Sequence, residues 1–264
     1  MSAQIIDGKK LADEILADVK QKVSKMSISP SLCVIRVEGD PASETYVRKK
    51  KEACFDLGIR FNDVVLPGST TQEELIKTVE KYNLDEETSA IIVQLPLPES
   101  IDPKVITRAI NPAKDVDGLN PVSDYIPATP RGIIKVLESI GFKYEGANAV
   151  VVGRSDLVGK PTAAELLKKD CTVTVCHSKT KDLAFHTRSA DLVVVAVGKP
   201  RMLTVDMIKD GVVVIDVGIN RIDGKLVGDV DFENVKEKAG FLTKVPGGVG
   251  PLTVACLLEN VASV

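Results

Sequence analysis

Hydrophobic residues alternate along the chain between short runs rich in Val and Ile and longer stretches with helical spacing. Short apolar runs of this kind are typical of buried strands, and amphipathic stretches are typical of helices. In the first half the pattern predicts strands and helices in turn, namely strands at Leu32–Val37, Asn62–Leu66 and Ala90–Leu95 and helices at Gly8–Met26, Ser43–Leu57 and Thr71–Tyr82. This alternation indicates repeated β-α units.

The second half shows the same alternation with more uniformly apolar strand candidates. They are Ala149–Val152, Thr172–Cys176, Leu192–Val197 and Val212–Val217. Strands that are covered on both faces lack polar positions, so such runs indicate a parallel sheet between two layers of helices. We therefore expect an α/β protein whose second half is a Rossmann-like, doubly wound parallel sheet.

The length of the chain predicts two domains, because 264 residues exceed the roughly 150 residues of an average domain. Thr129 followed by Pro130 is typical of the start of a helix, with the hydroxyl as its cap. We place the domain boundary near Leu119, ahead of this helix, so that residues 1–118 form the first domain and residues 119–250 the second. A last helix, predicted at 251–264, is expected to pack back on the first domain.

Composition and charge exclude several classes of protein. Acidic residues outnumber Lys and Arg by 37 to 34, so the excess positive charge of most nucleic-acid-binding proteins is missing. The longest stretch without Asp, Glu, Lys or Arg, residues 245–258, is shorter than the ~20 residues that cross a bilayer. Five scattered cysteines and two histidines predict neither a disulfide framework nor a metal site, and they favour a cytoplasmic location.

A glycine turn follows the first strand of the second half. Gly153, Ser155 and Gly159 form a Gly-x-Ser-x-x-x-Gly motif before a helix that is predicted to begin near Lys160. Amide groups at a helix N-terminus bind phosphate, and glycines let the backbone approach it. The motif is one residue longer than the usual dinucleotide fingerprint, so a plain strand-turn-helix connection is the competing interpretation.

The next strand ends in Cys176-His177-Ser178-Lys179 rather than in a carboxylate. Sites that prefer NAD hold the ribose 2′-hydroxyl with an Asp or Glu at this point. Without that charge nothing repels a 2′-phosphate, and Arg154 is able to reach the same corner, so the sequence favours NADP over NAD. Taken singly, His177 fits a surface histidine equally well.

A cluster of basic residues lies on the second predicted helix. Tyr46 and Lys50 are one turn apart and share a face, whereas Lys49 and Lys51 point elsewhere. A lysine that is buried near other cations has a lowered pKa and can serve as an acid or base. Most lysines are exposed, however, so a solvated basic face competes with this interpretation, and the spacing alone does not decide.

Three further segments carry candidate polar or flexible positions. Gln94 ends a predicted strand at the edge where open α/β sheets bind ligands, although it can equally cap the strand. Asp117 lies in a turn before Gly118 and either binds a ligand or accepts hydrogen bonds from its own backbone. The glycine-rich segment 246–250 either lets the backbone approach a flat ligand or reverses the chain.

Eight ordered segments together resemble the bifunctional methylenetetrahydrofolate dehydrogenase/methenyltetrahydrofolate cyclohydrolase family of FolD-type enzymes. The resemblance extends over nearly the whole chain. Its segments are Tyr46–Lys50, Val93–Pro98, Lys114–Gly118, Pro127–Pro130, Val152–Ser155, Cys176–Thr180, Asp216–Asn220 and Pro246–Pro251.

The resemblance implies that the protein oxidises 5,10-methylenetetrahydrofolate with NADP⁺ and hydrolyses the product to 10-formyltetrahydrofolate, in the one-carbon metabolism that serves purine and amino-acid biosynthesis. It implies that Lys50 is the catalytic lysine and that Gln94 positions it. Asp117 would hold the amino-pyrimidine edge of the pterin, and Tyr46 would lie against the folate. The remaining substrate contacts would be Val93, Leu95, Pro246, Gly247, Gly248, Val249 and Gly250.

The same resemblance implies where the cofactor NADP would bind. Its phosphates would contact Gly153, Arg154 and Ser155, its 2′-phosphate would contact Ser178, and the backbone of Ile219 would contact the nicotinamide amide. Gly159 and His177 complete the candidate set. The family implies a homodimer joined through the dinucleotide domains, with a cleft between the two domains of each subunit. No metal, nucleic-acid or membrane partner is expected.

The chain departs from the family pattern in two places. The connector Leu119–Ile126 is shorter than is usual, and Ala128 replaces the usual cysteine. Both departures bear on the interdomain geometry and on the balance of the two activities. On the sequence alone three alternatives stay open, namely a non-catalytic NADP-binding sensor, an enzyme with only one of the two activities, and an amino-acid dehydrogenase of similar two-domain build.

Overall fold

The computed structural model describes residues 2–264, apart from the side chains at positions 41 and 42. The chain divides into two compact units, which are named here by their main segments. The N-terminal unit is Glu14–Pro127 with Val254–Val264, and the C-terminal unit is Ala128–Thr253 with the segment up to Asp13. The chain divides at Pro127, which is later than the predicted boundary at residue 118. The segment up to Asp13 lies in the C-terminal unit, whereas the sequence predicts it in the first domain.

Strands and helices alternate through both units. The strands are β1 (Gln4–Ile6), β2 (Ser31–Val37), β3 (Arg60–Leu66), β4 (Ala90–Val93), β5 (Asn148–Val152), β6 (Thr172–Cys176), β7 (Leu192–Val195), β8 (Val213–Asp216), β9 (Asn220–Ile222), β10 (Lys225–Val227) and β11 (Phe241–Thr243). The helices are α1 (Gly8–Ser24), α2 (Pro41–Leu57), α3 (Gln72–Leu84), α4 (Pro103–Ala109), α5 (Ala128–Ser139), α6 (Gly159–Lys168), α7 (Leu183–Thr187), α8 (Phe232–Val235) and α9 (Val249–Val261).

The N-terminal unit is built around a three-stranded parallel sheet with the order β3-β2-β4. The central strand β2 is almost completely buried, as its run of Leu, Cys, Val and Ile requires. Ile35 and Ile91 on neighbouring strands pack with Leu75 of α3 and Ile106 of α4 in one hydrophobic core. The carboxyl ends of β2 and β4 therefore lie side by side, and the segments that follow them share one edge of this sheet.

The C-terminal unit contains a six-stranded sheet with the order β1-β11-β8-β7-β5-β6. All of its strand pairs are parallel. The chain leaves β5 for β6 on one side and then crosses to β7 on the other, so the order of strands reverses at β5. Ligands of open α/β sheets bind at the carboxyl edge beside such a reversal. The predicted α/β class with a doubly wound parallel sheet is confirmed.

Several elements begin or end a few residues away from their predicted limits. Strands β4 and β7 stop at Val93 and Val195, each two residues before the predicted end. Helix α5 begins at Ala128 rather than after a capping Thr129. The hydroxyl of Thr129 instead forms a hydrogen bond of 3.1 Å with the hydroxyl of Thr253. Long-range contacts thus set the limits that local pattern left open.

The sequence pattern missed the shortest strands, β1, β11 and the antiparallel pair β9–β10. Each has three residues, which is too few for a period of two to be recognised. Strand β1 pairs only with β11, more than 230 residues further along the chain. Its place in the sheet depends on a contact that no local window contains.

We predict that Ile35→Ala destabilises the protein by about 2–5 kcal/mol, because Ile35 is completely buried in the core of the N-terminal unit and its loss leaves a cavity. The matched variant Ile28→Ala removes the same atoms from a side chain that is 76% exposed and should change stability by less than ~0.5 kcal/mol. Urea unfolding followed by circular dichroism measures both. Equal losses in the two variants would contradict the description of the core.

Candidate active site

A lysine and a glutamine meet at the carboxyl edge of the N-terminal sheet. The Nζ of Lys50, on α2, donates a hydrogen bond of 3.0 Å to the Oε1 of Gln94. The amide of Gln94 is oriented in turn, because its Nε2 donates to the carbonyl of Leu95 at 2.6 Å. The backbone N–H of Gln94 donates to the carbonyl of Ile35, which fixes the residue to the end of β2. The sheet therefore presents an amide oxygen to the lysine.

Burial changes the protonation of Lys50. The side chain is partly buried, and loss of water lowers its pKa below the ordinary range of lysine. The carboxylate of Asp117 opposes this shift because it favours the ammonium form. Burial also raises the pKa of Asp117, and the charge of Lys50 opposes that shift. The two groups are therefore electrostatically coupled, and each depends on the other for its charged form.

The loop that carries Asp117 is folded onto the edge of the sheet. Ile91 of β4 donates from its N–H to the carbonyl of Lys114 at 2.8 Å and forms a parallel bridge with Asp115. Gly118 has a φ of 66°, and a Cβ there would lie 2.4 Å from the carbonyl oxygen of Tyr125. A glycine is thus required where the chain turns away, immediately after Asp117.

Asp115 holds the other end of this turn. It is completely buried, and its Oδ2 accepts a hydrogen bond of 2.7 Å from the N–H of Asn120. Burial raises the pKa of Asp115 to about 6. The sequence pattern did not single out Asp115, because a carboxylate in a turn looks the same whether or not its backbone is folded onto a strand. Its role in shaping the turn is visible only in the structure.

Tyr46 lies one turn before Lys50 on α2, and its side chain is 52% exposed. Its ring is therefore accessible to a bound molecule. Lys49 and Lys51, on either side of Lys50, are exposed. Of these three adjacent lysines only Lys50 turns towards the sheet. The structure thus brings together Lys50, Gln94 and Asp117 from the predicted site residues of this unit, with Val93 and Leu95 flanking Gln94 in the chain.

The glycine turn of the C-terminal unit lies between β5 and α6. Gly153 has a φ of 133°, and a Cβ there would lie 2.4 Å from the carbonyl oxygen of Ala196. A Cβ on Gly159 would lie 2.3 Å from the carbonyl oxygen of Gly153. The hydroxyl of Ser155 accepts hydrogen bonds from the N–H groups of Val158 at 3.2 Å and of Gly159 at 3.4 Å. The backbone is therefore tightly folded just before the N-terminus of a helix, as in phosphate-binding turns.

The neighbouring strand β6 ends in a compact turn without a carboxylate. His177 accepts a hydrogen bond of 3.1 Å at Nδ1 from the N–H of Lys179, and its own N–H donates to the hydroxyl of Thr180 at 2.9 Å. The side chain of Ser178 is exposed at the tip of this turn. The exposed groups here are a hydroxyl and an ammonium, which suit a phosphate better than a ribose diol.

Two other predicted regions of the C-terminal unit differ in character. Ile219 follows β8, and its side chain is 57% exposed. In the glycine-rich segment, a Cβ on Gly8 would lie only 1.9 Å from the carbonyl oxygen of Gly248, and Lys9 donates from its N–H to the carbonyl of Gly247 at 3.1 Å. This close approach requires a glycine at position 8, where α1 begins, whereas a Cβ on Gly248 would lie 2.4 Å from the carbonyl oxygen of Lys244.

Within residues 2–264, no group of three or more His, Cys, Asp or Glu side chains is arranged to hold a metal ion. In the same part of the chain, no helix combines the length and the apolar character needed to cross a membrane.

Comparisons with known proteins match the chain in two parts, one on each side of residues 118–126. The family model "Tetrahydrofolate dehydrogenase/cyclohydrolase, catalytic domain" matches residues 6–117. The model for the NAD(P)-binding domain of the same family matches residues 127–264. "Bifunctional protein FolD" from Moorella thermoacetica is 51% identical over 273 residues, which cover 98% of this chain and 98% of that protein.

Solved structures show the same relationship. The bifunctional FolD enzyme from Campylobacter jejuni matches with a TM-score of 0.97 and 43% identity, covering 99% of this chain and 98% of that one. The methylenetetrahydrofolate dehydrogenase-cyclohydrolase of Trypanosoma brucei, solved with NADP cofactor and an inhibitor, matches with a TM-score of 0.93 and 37% identity, covering 99% of this chain and 96% of that one.

We predict that Asp117→Asn lowers the pKa of Lys50 further below the ordinary ~10.4 of lysine. The substitution removes the negative charge that favours the ammonium, whereas the burial that disfavours it stays. NMR titration of protein with isotope-labelled lysine measures this shift, with Lys50→Met assigning the signal. The control Asp124→Asn neutralises an exposed carboxylate and should leave the midpoint unchanged. A rise of the midpoint in Asp117→Asn would contradict the coupling.

Proposed function

Because the chain belongs to the tetrahydrofolate dehydrogenase/cyclohydrolase family, we propose that it oxidises 5,10-methylenetetrahydrofolate to 5,10-methenyltetrahydrofolate with NADP⁺ and hydrolyses that product to 10-formyltetrahydrofolate. One observation carries the assignment of residues. A partly buried lysine with a lowered pKa is held by an amide oxygen, within the unit that contains most of the catalytic-domain match. The amine of Lys50 can therefore exchange a proton, which a fully solvated lysine does poorly at neutral pH.

Lys50 moves protons during hydrolysis. Water adds to the methenyl carbon, forming a C–O bond, and the neutral amine of Lys50 takes the proton that the water releases. The resulting ammonium returns a proton to the N5 nitrogen of the folate as the bond between N5 and the carbon breaks. The hydroxyl of the adduct loses its remaining proton to solvent as the C=O bond forms, and the carbon stays on N10 as a formyl group. The hydrolysis thus releases one proton in total, which balances the positive charge of the methenyl substrate, and Lys50 returns to its neutral starting form. A depressed pKa makes both transfers accessible.

The other residues of the N-terminal unit hold the substrate and the lysine. Gln94 keeps the Nζ of Lys50 in place through its 3.0 Å hydrogen bond. The carboxylate of Asp117 pairs with the amino-pyrimidine edge of the pterin, whose N–H groups match its two oxygens. The ring of Tyr46 packs against the folate. The remaining substrate contacts in this proposal are Val93 and Leu95 of the same unit, and Pro246, Gly247, Gly248, Val249 and Gly250 of the C-terminal unit.

The C-terminal unit has groups that fit NADP. A Cβ on Gly153 or on Gly159 would collide with the backbone of this tight turn. A turn without side chains at these positions lets backbone N–H groups approach phosphate. In this proposal Arg154 and Ser155 bind the phosphates with these glycines, Ser178 and His177 lie at the 2′-phosphate, and the backbone of Ile219 receives the nicotinamide amide. NADP⁺, when bound, supplies the hydride acceptor for the oxidation.

The assembly and location are further parts of the proposal. Strand β6 ends the order of the C-terminal sheet, so its outer edge is open, and a second copy of the chain can cover such an edge in a symmetric homodimer. Buried cysteine thiols fit the reducing cytoplasm. The product, a formyl donor, places the enzyme in one-carbon metabolism that serves purine and amino-acid biosynthesis. Membrane and nucleic-acid partners have no part in this scheme.

We predict that Lys50→Met lowers the rate of methenyltetrahydrofolate hydrolysis by about 10²–10⁴-fold, because the variant lacks a proton carrier. The control Lys49→Met changes an exposed neighbour on the same helix and should retain the wild-type rate. Loss of methenyl absorbance measures hydrolysis, and the absorbance of NADPH measures oxidation of the methylene substrate. Full hydrolysis by folded Lys50→Met would refute the role of the lysine. A wild-type protein that binds NADP⁺ but catalyses neither reaction would instead support the alternative of a non-catalytic NADP-binding sensor.

We predict that Ser178→Asp shifts the preference from NADP⁺ towards NAD⁺, by about tenfold or more in the ratio of the two kcat/KM values. The new carboxylate repels the 2′-phosphate and accepts a hydrogen bond from the 2′-hydroxyl of NAD⁺. Ser189→Asp adds the same charge at another exposed serine of this unit and should leave the ratio unchanged. If both variants changed the ratio equally, net charge rather than the position of Ser178 would explain the effect.

A further inference from the structure

Two buried carboxylates of the C-terminal unit have no part in the mechanism above. Asp216 is the last residue of β8 and is 2% exposed, and Asp229 follows β10 and is 0% exposed. Buried carboxylates are costly unless several donors satisfy them. The groups that donate hydrogen bonds to Asp216 and Asp229 therefore show which parts of the chain these two residues hold in place.

Asp216 binds the backbone on both sides of the β9–β10 hairpin. Its Oδ1 accepts hydrogen bonds from the N–H of Gly218 at 3.0 Å and of Asp229 at 2.9 Å. Its Oδ2 accepts a third from the N–H of Val230 at 3.0 Å. Asp216 thereby fixes the start of the loop that contains Ile219 and sets the backbone position of Asp229.

Asp229 joins the loops that follow two neighbouring strands. Its Oδ2 accepts hydrogen bonds from the N–H groups of Val197 at 2.7 Å and Gly198 at 2.9 Å, just after β7. Its Oδ1 accepts a hydrogen bond of 2.8 Å from the Nδ2 of Asn220, just after β8. One side chain therefore clamps both loops at the carboxyl edge of the sheet, where ligands of this fold bind.

Close packing leaves these loops little room to move. A Cβ on Gly218 would lie 2.2 Å from the Cγ of Asp229, and a Cβ on Gly228 would lie 1.8 Å from the Oδ2 of Asp216. Ile219 lies between Gly218 and Asn220, so the residues on both sides of it are held by the two carboxylates. The half-exposed position of Ile219 is thus set by the buried contacts of its neighbours rather than by contacts of its own side chain.

We propose that Asp229 is a positioning residue for the nicotinamide end of the dinucleotide. It holds segments 197–198 and 218–220 in the arrangement that lets the backbone of Ile219 receive the carboxamide of the nicotinamide. This inference rests on the proposed function, because it assumes that the C-terminal unit binds NADP⁺. It adds residues 197–198, Asp229 and Asn220 to the elements on which cofactor binding depends.

The test compares two probes that share the adenosine and the 2′-phosphate. Asp229→Asn replaces one acceptor oxygen by an N–H donor, which faces the N–H of Asn220 or those of Val197 and Gly198. We expect the Kd of NADP⁺ to rise about 10–100-fold, as for loss of a hydrogen bond to a charged group. The Kd of 2′,5′-ADP, which lacks the nicotinamide, should stay unchanged, as should the hydrolysis of methenyltetrahydrofolate. Isothermal titration calorimetry measures both affinities.

A reciprocal variant tests the hydrogen bonds themselves. With Asp229→Asn and Asn220→Asp combined, the oxygen at 229 can accept from Val197 and Gly198 while its amide donates to the new carboxylate at 220. We expect the Kd of NADP⁺ to fall again by about threefold or more relative to Asp229→Asn alone. Should Asp229→Asn not fold, Asn220→Ala removes the hydrogen bonds of Asn220 to Asp229 and to the carbonyl of Val227, and it should weaken NADP⁺ binding in the same selective way. Its control, Asn234→Ala, loses an exposed Asn–Asp hydrogen bond and should leave the affinity for NADP⁺ unchanged.

Each other outcome decides against the proposal. Equal weakening of NADP⁺ and 2′,5′-ADP would show a general structural role for Asp229. The positioning role of Asp229 would be overturned if the affinity for NADP⁺ were unchanged in both Asp229→Asn and Asn220→Ala. It would also be overturned if the reciprocal variant recovered none of the lost affinity. These results leave the proposed function standing, whereas a wild-type protein that fails to bind NADP⁺ would remove the proposed function itself.

Discussion

The proposed chemistry of this protein depends on the partial burial of the Lys50 ammonium. Solvation favours a charged lysine, so removing the water lowers its pKa and makes the neutral amine available. Gln94 supplies an acceptor without charge, which positions Nζ and does not restore the full stability of the ammonium. Asp117 supplies the opposing charge. In the proposed mechanism, burial lowers the pKa of Lys50 and Asp117 limits that shift, so the one side chain can both accept and return a proton.

Buried carboxylates build the functional loops in both units. In the N-terminal unit Asp115 accepts an N–H from the turn that follows Asp117. In the C-terminal unit Asp216 and Asp229 accept N–H groups from the loops after β7 and β8. A carboxylate can satisfy several backbone donors at once, so it fixes a loop that has no regular hydrogen-bond pattern of its own. These residues therefore set the backbone positions of the loops that the proposed reaction uses.

Strong local patterns led to correct elements, and weak ones did not. The apolar runs of β2 and β8 predicted the strands to within a few residues, because strands buried on both faces leave a clear signature. The edge strand β6 was predicted equally closely, although only its last residue is buried. Strands β1 and β11 have three residues each and gave no periodic signal. The division of the chain followed long-range pairing of this kind, which placed the segment up to Asp13 with Ala128–Thr253.

The sequence by itself determined the α/β class and the family and predicted the candidate site residues, because these depend on residue type, order and spacing. Tyr46 and Lys50 share a helix face in any helix, but the spacing is the same on a solvated face as on a buried one. Only the tertiary structure decided that Lys50 meets Gln94, 44 residues away, and that Asp229 meets Val197, 32 residues away. Burial and hydrogen-bond partners are set by contacts between distant segments, which a local pattern does not contain.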